Sequence, residues 1–348
     1  MLQTHQSFAV TDLHRLAVSI LVSSGVPSDD ADLTARSLVQ ADQRGIFSHG
    51  LLRLPLYAEA IRLGGINPTP TLSYSSKANA VAVLDADAAL GQVAMQSAVD
   101  KVLEMGRVQG IAAVAVQNSS HYGAGAFWSD QLAAAGFLSF ITSSTGPVVA
   151  PHGGTAKVLG TNPLTLGAPA SADWPLTADL ATSNGAYGKV IAARNEGQQL
   201  PEGWAVDTDG NPTTDPDEAA AGSMIPFGNH KGSAVSVLLE AFASSLTAAT
   251  YAYETVDIWS SPSSRMNNGH LIVGINAEAF TSRSHTEARV ADLQQRVRDA
   301  GPASREIHAP GDPERSKEGA AATSVRLPVS TAEQLRELAL KLSLNINI

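Results

Sequence analysis

The sequence predicts an α/β fold, with a helical N-terminal portion followed by a larger region where buried strands alternate with helices. Three observations carry this. Residues 1–75 hold capped segments with helical apolar spacing. From residue 76 onward, short runs rich in Ala, Val, Ile and Leu alternate with longer helical patterns. No internal repeat or low-complexity tract interrupts the chain.

Each element has its own signal. Thr11 can cap DLHRLAVSILVSS, which stops at Gly25, and Ser28 can cap DDADLTARSLVQADQR, which has acids in its first turn and Gly45 after its last. A third, short helix runs from Pro55 to Gly64 and Gly65. AVAVLDAD then reads as a strand, residues 92–106 as a helix and IAAVAVQ as a buried strand. A helix over 124–135 and the strand FLSFITSS follow. Beyond Pro169 come strand-like pieces and a loop region dense in Gly, Pro, Asp and Thr, EGQQLPEGWAVDTDGNPTTDPDEAAAG. KGSAVSVLLEAFASSLTAA is apolar almost all round and predicts a buried helix. HLIVGIN reads as a strand, HTEARVADLQQRVRDA as an amphipathic helix ended by Gly301, and a last helix begins near Thr331.

Composition narrows the function. The 348 residues are 44% apolar and 16% charged, as a globular core requires. A net charge of −10, with no Lys/Arg cluster, argues against nucleic acid and anionic membranes as partners. The absence of cysteine excludes disulfides, thiolate metal sites and a cysteine nucleophile. The N-terminus lacks the basic and apolar blocks of a signal peptide, and no apolar run reaches the ~20 residues of a bilayer span. A soluble cytoplasmic protein is the default expectation.

The familiar nucleotide signals fail. The nearest approach to a Rossmann glycine motif is Gly123-Ala124-Gly125-Ala126-Phe127-Trp128, where Trp128 replaces the third glycine and no acid follows at the ribose distance. No phosphate loop ends in Gly-Lys-Ser/Thr. Three histidine clusters remain: SHGLLR (48–53), NSSHYGAG (118–125) and PFGNHKG (226–232). Glycine lets backbone approach a ligand, a helix N-terminus after His121 would offer N–H groups to a phosphate, and Lys231 adds charge where a pyrophosphate could sit. One histidine beside a glycine is more often a turn or core residue, so no cluster decides alone. The nine histidines show neither HxxxH nor HxH spacing, so no metal site is expected. Adjacent Ser48 and His49 do not suit a nucleophile and its base.

Taken together, the clusters resemble the malate/L-lactate/L-sulfolactate dehydrogenase family. The matching text is SHGLLRLPLY, NSSHYGAGAFW, PHGGTAKVLGTNPLTLGAP, DLATSNGAYGKV, LPEGWAVDTDGNPTTDP, IPFGNHKGSAVS and HAPGDPE, in order from residue 48 to about 314. The resemblance implies a non-Rossmann, L-sulfolactate dehydrogenase-like fold: a helical domain of residues 1–75 joined by 302–348, and a mixed-sheet NAD(P)-binding domain over 76–301. It also implies a homodimer with sites near the subunit boundary.

The resemblance further implies that His49 gives a proton to the substrate carbonyl, with Ser48 orienting or relaying, and that Arg53 holds the substrate carboxylate. Thr161 resembles a substrate contact. His121, Tyr122, Gly123, Ala124 and Gly125 resemble the loop at the cofactor pyrophosphate. Asp179, Leu180 and Ala181 resemble a cofactor-contacting strand end, His230 and Lys231 a cofactor-binding pair, and Pro310, Gly311 and Asp312 the final cofactor loop. The chemistry agrees: reducing a 2-oxo acid needs hydride at carbon and a proton at oxygen, which an imidazole near neutral pH can supply, while a guanidinium forks onto a carboxylate.

Two departures bear on specificity. The family's cyclic imino acid reductases carry His-Gly-Asp after the DLATS strand, where this chain has Tyr187, Gly188 and Lys189. A lysine there suits a second substrate carboxylate, or is a solvated surface group. In the run Gly311-Asp312-Pro313-Glu314-Arg315, two acids stand beside a single Arg, which favours NAD and leaves NADP possible. Three readings stand: a 2-oxo/2-hydroxy acid oxidoreductase, an NAD(P)H-dependent reductase of piperideine- or pyrroline-2-carboxylate, and a silent nucleotide-binding member.

Overall fold

The structure is a computed structural model, and it describes residues 5–172 and 174–344. The N-terminal portion holds β1 (His5–Ala9), α1 (Val10–Ser23), α2 (Ser28–Gln43) and α3 (Leu54–Arg62). Between α2 and α3 lie two single 3-10 turns, Phe47–His49 and Leu51–Arg53. The middle of the chain runs β2 (Ser73–Ala78), β3 (Val81–Ala89), α4 (Gly91–Gln109), β4 (Ile111–Ser119), α5 (Gly125–Ala134), β5 (Phe137–Ser143), β6 (Leu164–Ala168) and β7 (Leu176–Leu180). Then come α6 (Tyr187–Glu196), β8 (Ala205–Val206), β9 (Pro212–Thr213), α7 (Pro216–Ala221), β10 (Ser223–Met224) and α8 (Asn229–Ser244). The chain closes with β11 (Asn268–Asn276), α9 (Arg283–Arg298), α10 (Asp312–Ala320), β12 (Ser324–Pro328) and α11 (Val329–Lys341).

A seven-stranded mixed sheet, ordered β2-β3-β4-β11-β5-β6-β7, forms the centre. Only β3 and β4 pair in parallel, joined through α4; the other neighbours are antiparallel. Helices α4 and α5 cover one face: Ser129 bonds Ser139, and Gly106 packs against Phe137. The opposite face meets α8, where Phe242 contacts Phe140 edge-on. One continuous core runs from α1, α2 and α3 into α4 and the sheet. In α1 it takes Leu13, Leu16, Ala17, Ile20 and Leu21, and each large side chain contributes about 1.5–3 kcal/mol on burial.

Several local expectations are corrected. Residues 1–75 are not wholly helical: β1 precedes α1 and pairs with β12, and β2 begins at Ser73. The α1 start is therefore set by a tertiary contact, Val10 N–H to Thr323 C=O, and not by a Thr11 cap. Ser28 is the first residue of α2, with Pro27 at the cap position. The turn-rich stretch is a small unit with α7, β8, β9 and β10. Its second core holds Val149, Val190, Leu200, Ala205 and Met224. Helices α6 and α10 were not foreseen. Helix α8 is buried on one side only: Leu238 is 56% exposed and Phe242 46%. Among the described residues, no helix is long and apolar enough to cross a membrane.

Candidate active site

The stretch from Ile46 to Tyr57 cannot form one helix, because Gly50 is extended between its two turns (φ −90°, ψ −153°). A Cβ at Gly50 would collide with the Asp42 carboxylate, so only glycine fits beneath it. Asp42, buried near the end of α2, accepts the Leu51 N–H at 2.8 Å. Burial pushes this carboxyl up to about 8. This anchor turns Ser48, His49 and Arg53 toward one another.

Ser48 Oγ lies 2.9 Å from His49 Nδ1. Arg53 Nε donates to the Ser48 carbonyl at 2.7 Å, so the fork it can present is its terminal nitrogen pair. The guanidinium lies over Trp259, 4.9 Å from the ring centroid, and Asp257 is its nearby counter-charge. The His49 and His121 rings are 5.2 Å apart. His121 Nδ1 is 2.6 Å from Tyr57 Oη, which accepts a 3.3 Å bond from Gln92 Nε2. His49, Arg53 and His121 are all half-buried, so each still presents surface.

The electrostatics depart from expectation. His49 was expected to titrate near neutrality; burial, then the Arg53 charge, lowers it to about 3. Burial followed by Arg53, His49 and His270 holds His121 well below the usual histidine range. Both imidazoles are thus neutral beside a fixed cation, a floor that favours an anionic ligand.

The other anticipated residues separate into two groups. Several are committed internally. Asp179 accepts from Ala126 N–H at 2.9 Å, from Gly125 N–H and from Thr165 Oγ1, so it caps α5 and takes the amides expected to be free for phosphate. Asp312 is held by Arg298, Trp174 Nε1 and Ala309 N–H, which keep it down at about 2. Tyr122 is buried edge-on to His270, and Ala124 and Gly125 are buried with it. Thr161 lies against Thr145, and its carbonyl accepts from Thr182. Gly123 has φ +83°, and its N–H reaches His121 Nδ1 at 3.3 Å.

The second group is exposed: Leu180, Ala181, Gly188, Lys189, His230, Lys231 and Pro310. Gly188 comes beside Ser48, where a Cβ would be 3.7 Å from the serine's own. Half-buried Tyr187 joins the small second core, and Lys189 Nζ lies 5.8 Å over Trp204. Gly311 adopts φ +92° against the Thr177 backbone. The α8 N-terminus has no side-chain cap and carries His230 and Lys231 on its first turn, a donor set that fits a pyrophosphate. Sequence reading missed Tyr57, Gln92, Asp42, Asp257 and Trp259. Tyr57 alone had a signal, lying one helical turn beyond Arg53. Among the described residues, no cluster of three His, Asp or Glu could hold a metal.

Comparison with known proteins identifies the family and the fold. The sequence model described as malate/L-lactate dehydrogenase matches residues 8–336. L-sulfolactate dehydrogenase of Methanocaldococcus jannaschii is 33% identical over 333 residues, 95% of this chain and 96% of that protein. Ureidoglycolate dehydrogenase (NAD(+)) of Escherichia coli is 32% identical, covering 89% of each chain. The solved sulfolactate dehydrogenase from Methanocaldococcus jannaschii superposes with TM-score 0.91, at 32% identity and 98% coverage of both chains. A delta1-piperideine-2-carboxylate reductase from Pseudomonas syringae gives TM-score 0.86 at 29% identity, covering 96% of this chain and 100% of that one. The chain belongs to the malate/L-lactate dehydrogenase family of NAD(P)-dependent 2-hydroxy acid dehydrogenases.

Proposed function

We propose that this protein interconverts a small 2-oxo acid and its 2-hydroxy acid, with His49 exchanging the proton at the substrate oxygen. The observation carrying this is the convergence of His49, His121 and Arg53 in one half-buried cluster. The terminal fork of Arg53 takes the carboxylate. Burial first and the guanidinium charge second hold His49 low; the bound anion offsets the second and so raises the imidazole's proton affinity as substrate binds. A nicotinamide cofactor, when bound, supplies or accepts the hydride at carbon. His230, Lys231 and the uncapped α8 N-terminus would hold its phosphates, and the strand end at Leu180 and Ala181 with the Pro310–Gly311 loop would flank its other half. His121, with its ring 5.2 Å from that of His49, is a second donor to the same oxygen.

NAD is the favoured cofactor. Arg315, the cation following the final loop, is tied to Asp130 and Glu318 alongside the buried Arg44, which leaves it little freedom to meet a 2′-phosphate. In this reading residues 1–75 with residues 302–348 would make up the unit carrying His49, and residues 76–301 the cofactor unit. A homodimer is supported by the exposed apolar face of α8, which carries Val237, Leu238 and the outer part of Phe242.

The test is a reaction panel: oxaloacetate, pyruvate, 3-sulfopyruvate and piperideine-2-carboxylate, each with NADH and NADPH. Oxidation of NADH by an oxo acid supports the reading, and turnover confined to the cyclic imine contradicts it.

A further inference from the structure

The hydrogen-bond inventory behind His121 goes further than the site's outline. Gln92 is fully buried in the first turn of α4. That helix end is seated directly on the His121 segment: Gly91 N–H bonds Ser120 Oγ, and a Cβ at Gly91 would strike the Ser120 and His121 backbone. The Gln92 side chain therefore has little freedom to turn away from Tyr57.

Donors and acceptors can then be counted. Gly123 N–H can only donate, and it points at His121 Nδ1 from 3.3 Å. This long contact favours an accepting Nδ1 and a ring proton on Nε2, and the shorter Tyr57 contact decides how firmly. Tyr57 Oη lies 2.6 Å from the same Nδ1 and 3.4 Å from the His121 carbonyl. With Gln92 Nε2 donating to Oη at 3.3 Å, the single phenolic proton goes to Nδ1. The reverse arrangement would set an Nδ1–H against the Gly123 N–H, donor against donor. In this orientation Gln92 Oε1 is buried without a hydrogen-bond partner among the described residues; turning the amide over would put that oxygen on Oη and draw the phenolic proton away from Nδ1. Gly123 can supply its amide this way because its left-handed backbone, φ +83°, carries no Cβ penalty.

We propose that Gln92, acting through Tyr57, is a positioning residue that holds His121 as its Nε2–H tautomer and so leaves the cleft a fixed neutral N–H donor. Such a donor polarises a carbonyl without giving up its proton, which separates the work of His121 from that of His49. This rests on the dehydrogenase reading of the cleft, but its first readout does not need turnover.

The experiment uses full-length protein labelled with 15N in histidine, with long-range 1H–15N correlation spectra recorded without ligand. His121 is assigned through the signals lost in His121→Gln. The wild type should show Nε2 protonated and Nδ1 bare. Gln92→Leu and Tyr57→Phe should both show mixed tautomers at His121. They should also lower kcat roughly 10- to 100-fold, as misplaced groups do, with NADH affinity kept within about twofold of wild type. A protonated Nδ1 in the wild type overturns the proposal. So does a Gln92→Leu protein in which only one of tautomer and kcat changes, or neither. A wild type that reduces neither oxo acid nor imine would instead overturn the reading of the reaction, with the tautomer result still standing.

Discussion

His49 and His121 look in sequence much like His152 and His230: each is a histidine set among glycines. Their surroundings are opposite. The first pair is half-buried beside Arg53, with Nδ1 of each ring engaged by Ser48 or Tyr57. The second pair is exposed, with rings 6.2 Å apart, at the mouth of the α8 N-terminus. The lesson is that a motif supplies a residue type, while packing decides whether that residue is partnered and half-buried or open to solvent. Depth also sets the energetic stakes, since a buried polar group must be fully partnered and an exposed one can fall back on water.

The contrast can be attacked from its strongest side first. His49→Ala should lower turnover by about 10²–10⁴-fold, with cofactor titration unchanged; steady-state rates and NADH fluorescence check both halves. Gly50→Ala should come next. Its new Cβ meets the Asp42 carboxylate, so the turn must shift. A displacement near 1 Å costs on the order of 10²-fold in kcat, and overpacking costs about 1–3 kcal/mol in denaturant unfolding.

The pH dependence of stability sharpens the comparison further. His49 and His270 are both lowered to about 3 in the fold, while the unfolded chain keeps the ordinary histidine value. Between those values the unfolded state binds more protons, so stability falls as pH drops from about 6.5 toward 3. Asp42 acts in the other direction. Raised to about 8, it binds a proton in the fold that the unfolded chain has released, so its contribution is lost as pH rises toward 8. Urea midpoints across pH should therefore show His270→Asn with a shallower acid limb and Asp42→Asn with a shallower basic one. At the weak end of the series, Lys231→Ala should raise cofactor Kd only about three- to tenfold, and less at high salt, because exposed charges are screened.

Much of this was legible in the sequence, and the gaps have physical causes. The strands β3, β4, β5 and β11 were readable because alternating or continuous apolar runs survive as text. Strand β1 was not, since it exists by pairing with β12 more than 300 residues away. Ser48, His49 and Arg53 could be read because they lie close together in the chain, in two adjacent 3-10 turns. Gln92, Tyr57 and His121 belong to three elements, and only the docking of α4 brings them together. Asp179 and Asp312 were readable as family text, yet the carboxylates turn inward to cap α5 and to bind Arg298. Their direction was set by partners that no local spacing encodes.

The central claim is that a carboxylate ligand is held by Arg53 beside a bound dinucleotide. Its most direct test is calorimetric titration of oxamate, a non-reducible 2-oxo acid analogue, into the NADH complex of wild type and Arg53→Ala. Oxamate affinity should fall about 100-fold or more in the variant, the size expected on losing a partly buried charge partner, with NADH affinity unchanged. Equal oxamate binding by both proteins, or loss of NADH together with oxamate, would contradict it.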